Sequence, residues 1–429
     1  MDKIVLKFGG SSLTNIGFEL IKEKINEYKE YKIIIVLSAI GNTTDKLIRF
    51  SNGNLKILNE IKNDHINLLR DLDLNINLLN SDFEKILEYR NSIKKNNMDI
   101  HYDKTLIISY GEIFSTKILH NYLDVDNYLI DAKTILYINK ESNILNLENF
   151  KMKGSFECKL DELNKYFDKN IIITQGFIVN TIDNKPCLLT RGGSDTTASI
   201  ITNSIDAKFL EIWTDVDGIF TCDPCIIKNV KLIKEIDYTL CEEIAANKAK
   251  ILHPYCIKPC KLKNIPIYIK NTYNSDNKDF TTINNTINNI IVFTLQKNIK
   301  LIKITSLDMW NNFGILKDIF NVFNKYKIDI DIVSSSAYSV IVTFNNNEYN
   351  IDNIIRMLKN YKVEIIKEID NISIISNRIY EININYIINI YKKNIHYIHY
   401  SANQLSISCI IDNKYSNCFI ELLNNNLIV

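Results

Sequence analysis

Apolar and polar positions along the chain follow two regimes. Up to about residue 290, short aliphatic runs alternate with longer stretches whose apolar residues recur at spacings of three and four. Ile4-Val5-Leu6 and the run from Lys32 to Leu37 have no polar face, as expected of strands buried on both sides of a parallel sheet. Between them Phe18, Ile21, Ile25 and Tyr28 fit one face of a helix, as do the apolar positions from Ile57 to Leu72. His65 falls on that second stripe and reads as core packing, since no catalytic partner is near it in sequence. Further strands are predicted at Tyr128 to Ile130, Ile171 to Thr174 and Phe209 to Trp213. Helices are predicted from near Leu106, up to Ser204 behind caps at Ser194 and Asp195, and from Thr239 to Leu252, closed by His253-Pro254. The Asn-rich stretch between the strands at 130 and 171 reads as peripheral. Such alternation predicts an α/β fold, a mostly parallel central sheet between helical layers, with ligands at the carboxyl ends of the strands.

Beyond Ile290 the loops lose their glycines and the elements shorten. Leu301 to Thr305 is a strand, Ile315 to Tyr326 a helix, Ile328 to Val333 and Tyr338 to Phe344 a strand pair, and Ile351 to Tyr361 a helix. The scheme then repeats: Ile328 to Ser334 aligns with Ile395 to Ser401, a shift of 67 positions (395 minus 328), each followed by a second strand. The expected division is residues 1–290 as one domain and 291–429 as a tandem α+β pair. The first member of the pair is about 301–369; the second is 291–300 plus 370–429.

Composition narrows the class. A hydrophobic content of 46% with 24% charged residues is that of a globular chain with a sizeable core. A net charge of +1 gives no global reason to bind nucleic acid or an acidic membrane. No apolar run approaches the ~20 residues that span a bilayer, so the expected location is cytoplasmic, where nine cysteines are most simply reduced thiols. Cys222 and Cys225 form a C-x-x-C, but Cys241, Cys256, Cys260 and His253 complete no regular finger around it, and no metal site is assigned. His396 and His399 lack an accompanying carboxylate and read as strand-surface residues.

With only 12 glycines in the chain, their clusters are informative. The first strand ends in Lys7-Phe8-Gly9-Gly10-Ser11, a cation beside a backbone that can approach a polyanion closely; an ordinary edge strand and turn is the alternative. Gly111 lies inside a predicted helix, where glycine costs about 1 kcal/mol relative to alanine, so a neighbour should approach closely beside Glu112. Arg191-Gly192-Gly193-Ser194-Asp195 places a guanidinium and two caps before a helix, suited to an anion, with a capped turn as the alternative. Thr214, Asp215 and Asp217 at the end of the next strand suit a ribose or a metal-bound phosphate.

Taken together, KFGGSS, VLSA, SYGE, TQGF, TRGGSD, WTDVDGIFTCDP and KILHP, in this order and spacing, resemble the amino-acid kinase family and specifically the aspartate kinases, over about the first 270 residues. The tandem pair that follows resembles the two ACT units of the lysine-sensitive, monofunctional type. The resemblance implies ATP and Mg²⁺ as cofactors and phosphorylation of the side-chain carboxylate of L-aspartate, the first step of lysine, threonine and methionine synthesis. It makes Lys7, Asp195 and Lys250 catalytic, with Asp195 organising the two lysines. Lys7, Phe8, Gly9, Gly10, Ser11, Thr214, Asp215, Phe220, Cys225, Lys250 and Ile251 fall on nucleotide positions, and Ser38, Thr44, Glu112, Arg191 and Ser194 on aspartate positions. Where the family usually has Arg this chain has Cys225, which leaves one phosphate contact open.

The inventory suits that chemistry. A carboxylate with a reference pKa of about 3.9 is already ionised at pH 7, so attack on a γ-phosphate needs no general base and no catalytic histidine. An amino-acid effector, lysine or threonine, is implied at Met309, Asn312, Gly314, Ile315, Leu316, Ile330, Asp331 and Ser336. The type resembled has Glu in the next position, and this chain has Ala337. ACT units commonly pair edge to edge, so a homodimer or higher assembly is the expected state. Two other readings stand beside this one: an acetylglutamate or glutamate kinase, and a catalytically silent amino-acid sensor that keeps the fold.

Overall fold

The computed structural model describes residues 1–95, 100–138, 156–189, 192–247, 252–276, 278–310, 312–345 and 351–427, which divide into two compact units. Of the described residues, one holds Met1–Ile219, Leu232–Ala245 and 252–286; the other holds Phe220–Lys231, 246–247 and the chain from Ile287 onward.

The first unit runs β1 (Lys3–Phe8), α1 (Asn15–Glu27), β2 (Lys32–Leu37), α2 (Thr43–Ser51), α3 (Ile57–Asp71), α4 (Asn80–Lys95), α5 (Ile100–Tyr122) and β3 (Tyr128–Ile130). It continues with α6 (Ala132–Ile135), β4 (Leu136–Ile138), β5 (Phe156–Cys158), α7 (Leu160–Asn164), β6 (Ile171–Gln175), β7 (Ile178–Thr181), β8 (Pro186–Leu188), α8 (Gly193–Ser204) and β9 (Leu210–Thr214). Then come β10 (Glu235–Asp237), α9 (Tyr238–Ala246), α10 (Pro254–Leu262), β11 (Ile267–Asn271) and β12 (Thr281–Asn284). The central sheet has the order β10-β12-β11-β9-β1-β2-β6-β3, parallel throughout except where β11 meets β12. Its middle strands are buried on both faces, which is why Ile33-Ile34-Ile35-Val36-Leu37 shows no alternation. Ile4, Leu6 and Phe8 point to one side with Ile33, Ile35 and Leu37, against Phe18 and Ile21 of α1, Ile61 and Leu69 of α3, and Phe114 of α5. His65 belongs to this core: its Nδ1–H donates to the Ile61 carbonyl at 2.7 Å and its ring meets Phe114 edge-on, so burial pushes its pKa down and holds it neutral.

The part described within the stretch read as peripheral is structured. It supplies β4 and β5 to a second, four-stranded sheet ordered β5-β4-β7-β8. Two helix boundaries also differ from expectation. The helix predicted to run to Leu252 ends at Ala246, and His253-Pro254 opens a helix instead of closing one. The reason is local: His253 Nδ1 caps the Tyr255 N–H, and Pro254, which has no N–H to satisfy, occupies the first turn. In α8 the cap is Gly192, in the left-handed region at φ +72°, so Ser194 and Asp195 lie inside the first turn.

The second unit carries β13 (Ile291–Thr305), α11 (Ile315–Lys325), β14 (Ile330–Ser335), β15 (Ser339–Asn345), α12 (Ile351–Met357) and β16 (Lys362–Ser376). It ends with α13 (Asn385–Ile390), β17 (Ile395–Tyr400), β18 (Ser406–Asp412) and α14 (Asn413–Leu427). These strands form one antiparallel sheet, β14-β15-β13-β16-β18-β17. The short strand expected at 301–305 and the strand expected near 290–295 are one continuous element, β13, and its 15 residues pair with the 15 of β16 along both halves. The pairing shifts register between Gln296 and Leu301, where Asn298 has a positive φ. Buried Asp370 pins that irregularity, accepting from the Asn298 N–H at 2.8 Å and from Ser416 Oγ at 2.6 Å.

The internal repeat is real but unevenly spaced. The second strands are 67 positions apart (406 minus 339), whereas the first are 65 apart (395 minus 330). Ile330 pairs with Phe344 and Ile395 with Ile411, so the hairpin turn of the second half is two residues longer. Each half has its own core. Ile302, Ile319, Phe323 and Phe344 build the first, and Phe293, Ile374, Phe419 and Leu423 the second. Cys222 and Ile227 are buried in that second core, and the Phe293 N–H donates to the Thr221 carbonyl at 2.8 Å, so the segment 220–231 is part of this unit's fold.

Candidate active site

Four parallel strands of the first unit, β1, β2, β6 and β9, end on one side, and each ends in a loop containing residues singled out from the sequence. Crossover connections place all carboxyl ends of a parallel sheet together, which collects such loops. Lys7 is the last residue but one of β1. Its Nζ lies 2.6 Å from Asp195 Oδ1 in the first turn of α8, and both side chains are largely buried. A buried cation and carboxylate at this distance hold each other in place.

Gly10 is required by what approaches it. A Cβ on Gly10 would lie 2.5 Å from the Ala39 carbonyl, and the Gly41 N–H donates to the Gly10 carbonyl at 2.9 Å, so the first loop and the Ser38–Thr44 loop are in backbone contact. The Gly9 N–H and the Ser12 hydroxyl both donate to the carbonyl of Trp213 on β9, which anchors the turn from the other side. Thr214 and Asp215 follow directly on β9 and are joined by a 3.1 Å hydrogen bond. Directly after β6, Gly176 sits where a Cβ would meet Ser194 Oγ at 2.6 Å, bringing the TQGF turn against the start of α8.

Glu112 faces the Ser38–Thr44 loop from α5. Gly111 beside it would place a Cβ 2.7 Å from Ala39 Cβ, and the Ala39 N–H donates to Glu112 Oε1 at 3.1 Å. The close neighbour expected at Gly111 is therefore this loop. Glu112 Oε2 is buried and accepts no hydrogen bond from the described residues, and burial pushes the carboxyl up from its ordinary 4.5 to about 8. A stability prediction follows. Between pH 4.5 and about 8 the folded chain holds a proton that the unfolded chain has lost, so folding weakens as pH rises through that window and levels off above it. Glu112→Gln is expected to remove this slope. Its thermal midpoint, measured without ligand, should exceed that of the parent by a margin that widens from pH 5 to pH 8.

The structure thus brings together Lys7, Phe8, Gly9, Gly10, Ser11, Ser38, Thr44, Glu112, Ser194, Asp195, Thr214 and Asp215 on one unit. Arg191, Lys250 and Ile251 lie outside the described residues. Phe220 and Cys225 belong to the second unit, on the segment 220–231; Cys225 is exposed and its N–H donates to Asp223 Oδ1. The proposed effector residues are also on the second unit. Gly314, at φ +88°, caps α11, and Asp331 at the start of β14 is exposed and accepts from the Gln296 side chain at 2.9 Å.

The sequence pattern assigns no site role to two neighbours of the site, Phe177 and His253. Phe177, directly after Gly176, has φ +66°, strained for a bulky residue, and its ring lies where a Cβ on Gly193 would collide at 2.7 Å. His253 packs on the left-handed Gly192, whose Cβ would meet His253 Cβ at 2.5 Å; burial lowers its pKa while nearby Asp195 raises it. Its place in KILHP, directly before Pro254, was the available signal for His253. Nothing local marks Phe177 beyond the glycine before it.

Residues 2–271 match the model of the amino acid kinase family. An aspartokinase of Rickettsia felis is 30% identical over 355 residues, covering 81% of this chain and 72% of that protein. The fold matches that of Escherichia coli aspartokinase III over the whole of both chains at 22% identity. Its TM-score is 0.82 for the complex with aspartate and ADP (R-state) and 0.78 for the complex with lysine and aspartate (T-state). Clostridium acetobutylicum aspartate kinase matches with a TM-score of 0.74 at 25% identity, covering 98% of this chain and 99% of that one.

Proposed function

We propose that this chain, which belongs to the amino acid kinase family and within it to the aspartokinases, transfers the γ-phosphoryl group of ATP to the side-chain carboxylate of L-aspartate, giving 4-phospho-L-aspartate. The observation that carries the reading is the buried Lys7–Asp195 pair, set between a glycine turn and the amino end of a 12-residue helix. Free amides at that helix end, beside a glycine turn held in place by the Trp213 carbonyl and the Ser38–Thr44 loop, suit a polyphosphate. The sheet's first ribose-side residues are then Thr214 and Asp215, with Phe220, Cys225, Lys250 and Ile251 completing the proposed nucleotide contacts.

In the reaction a substrate carboxylate oxygen forms a bond to the γ-phosphorus while the bond to the bridging oxygen breaks, and ADP leaves. No proton need move first. What accelerates such a transfer is in-line placement and positive charge on the transferring group, the role assigned to Lys7 and Lys250. Asp195 positions Lys7 through their ion pair. Magnesium, when bound, would supply further neutralisation of the phosphates. Among the described residues no group of three or more His, Cys, Asp or Glu side chains is arranged to hold a metal. For aspartate, the α-ammonium is the only positive group and Glu112 the acid that suits it; Arg191 can fork onto a carboxylate, with Ser38, Thr44 and Ser194 as neutral donors.

An ATP-dependent hydroxamate assay comparing aspartate, glutamate and acetylglutamate tests this directly. Aspartate is expected to be the preferred acceptor. A clear preference for either of the others would move the chain to another activity of the family, and no turnover of any would favour a silent sensor.

Catalysis is assigned to residues 1–290 and regulation to the tandem ACT pair at 291–429, with assembly into a homodimer or higher through the ACT sheet. No helix among the described residues is long and apolar enough to cross a membrane; the cytoplasm is the proposed location. Asp331 is the proposed receptor for an effector ammonium, with the amides at Gly314 and Ile315 for its α-carboxylate. Because Ala337 supplies no carboxylate where the resembled type has one, inhibition by lysine is expected to be weak or absent, and Asp331→Ala should abolish what remains. Activity titrated against lysine and threonine checks this. Potent inhibition at micromolar lysine would show that Ala337 is immaterial.

A further inference from the structure

Glu112 has no counter-charge among the described residues, yet its assigned role is to receive a cation. Its side chain is buried; among the described residues its Oε1 accepts from the Ala39 N–H and its Oε2 has no hydrogen-bond partner. The charges on the elements packed against it are engaged or remote. On α2, Lys46 is paired with Asp64 at 2.6 Å, and Asp45 and Arg49 stand on the exposed face. On α5, Lys117 is paired with Asp82 of α4, whose other ionisable residues include Glu84, Lys85, Glu88 and Arg90. Lys7 of β1 is held by Asp195, and β6 and β8 carry no charged side chain. His65 of α3 is neutral. Among the described residues none of these charges moves the Glu112 carboxyl; burial and backbone hydrogen bonds alone act on it.

We propose that Glu112 is a protonated acid in the ligand-free enzyme and that the substrate's ammonium group displaces its proton, so that aspartate binding releases one proton to solvent. This rests on the reading that Glu112 receives the ammonium. The balance is simple: the O–H bond of the Glu112 carboxylic acid breaks, the proton passes to buffer, and the carboxylate accepts N–H donors from the ammonium at the oxygen that was unpartnered. An unpaired carboxylate in this place is disfavoured by desolvation, and an incoming cation restores its counter-charge. One consequence is selectivity. A ligand without an ammonium, such as an N-acylated amino acid, finds a neutral acid and has no means of ionising it.

Isothermal titration of the full-length protein with L-aspartate, in buffers of different ionisation enthalpy, reads the number of protons released per ligand bound. With the carboxyl pushed up to about 8, most of one proton is expected to be released at pH 7 and clearly less at pH 8. Glu112→Gln should bind aspartate more weakly and release none. Tight aspartate binding with no buffer dependence at pH 7 overturns the proposal while leaving the substrate reading intact. So does unchanged release in a folded Glu112→Gln. Acetylglutamate binding where aspartate gives no heat overturns the substrate reading itself. Should Glu112→Gln fail to fold, the fall in release between pH 7 and pH 8 in the unaltered protein still decides the matter.

Discussion

Replacing Lys7 with alanine is expected to lower kcat by three orders of magnitude or more, with a much smaller change in the KM for aspartate. The ammonium sits at the end of β1 beside a glycine turn, and in the proposed reaction it counters charge that grows only as the γ-phosphoryl group transfers, so its loss is felt mainly in the transition state. A fall of less than tenfold would exclude Lys7 from the chemistry. The ion pair adds a complication that sequence alone would miss. Asp195 would be left as a buried carboxylate without its partner 2.6 Å away, and breaking one side of a buried pair typically costs about 3–5 kcal/mol of stability. Lys7→Ala should therefore melt earlier than the parent. The double variant Lys7→Ala/Asp195→Asn, which removes both charges, should recover much of the lost thermal midpoint and none of the activity. Recovered activity would show that the first loss was structural.

Removing Glu112 should divide the two substrates. Glu112→Ala is expected to raise the KM for aspartate by about thirtyfold or more while that for ATP changes by no more than about threefold, because a charge-assisted contact in a buried site is worth about 2–3 kcal/mol. Arg191→Ala should behave in the same way through the substrate carboxylate. Steady-state kinetics with each substrate varied at saturation of the other measures the split. Equal effects on both substrates would mean that these residues are misassigned.

Much of the first unit was legible because its signals are local. A strand with two buried faces announces itself as an aliphatic run, and a glycine inside a helix announces a close neighbour whatever that neighbour is. The spacing of motifs from KFGGSS to KILHP was enough for the family. Other features depend on residues distant in the chain. Whether His253-Pro254 ends one helix or begins the next turns on a side-chain cap, and the 65-residue offset of β14 and β17 turns on the length of one hairpin. The segment 220–231 lies between strands of the first unit in sequence, yet buries Cys222 and Ile227 in the core of the second. Its few apolar residues have no period that could say which core they would join.

The sequence by itself determined the α/β class, the catalytic family and most of the residues that converge at the strand ends, since these follow from hydrophobic periodicity, glycine placement and side-chain chemistry. Only the tertiary structure decided the state of those residues. Lys7 and Asp195 become an ion pair because β1 and α8 pack together, and Glu112 becomes a carboxyl with one oxygen unpartnered among the described residues because α5 buries it under the Ser38–Thr44 loop. Charge and protonation depend on solvent exclusion and on neighbours brought from elsewhere in the chain, and neither is a property of any local stretch.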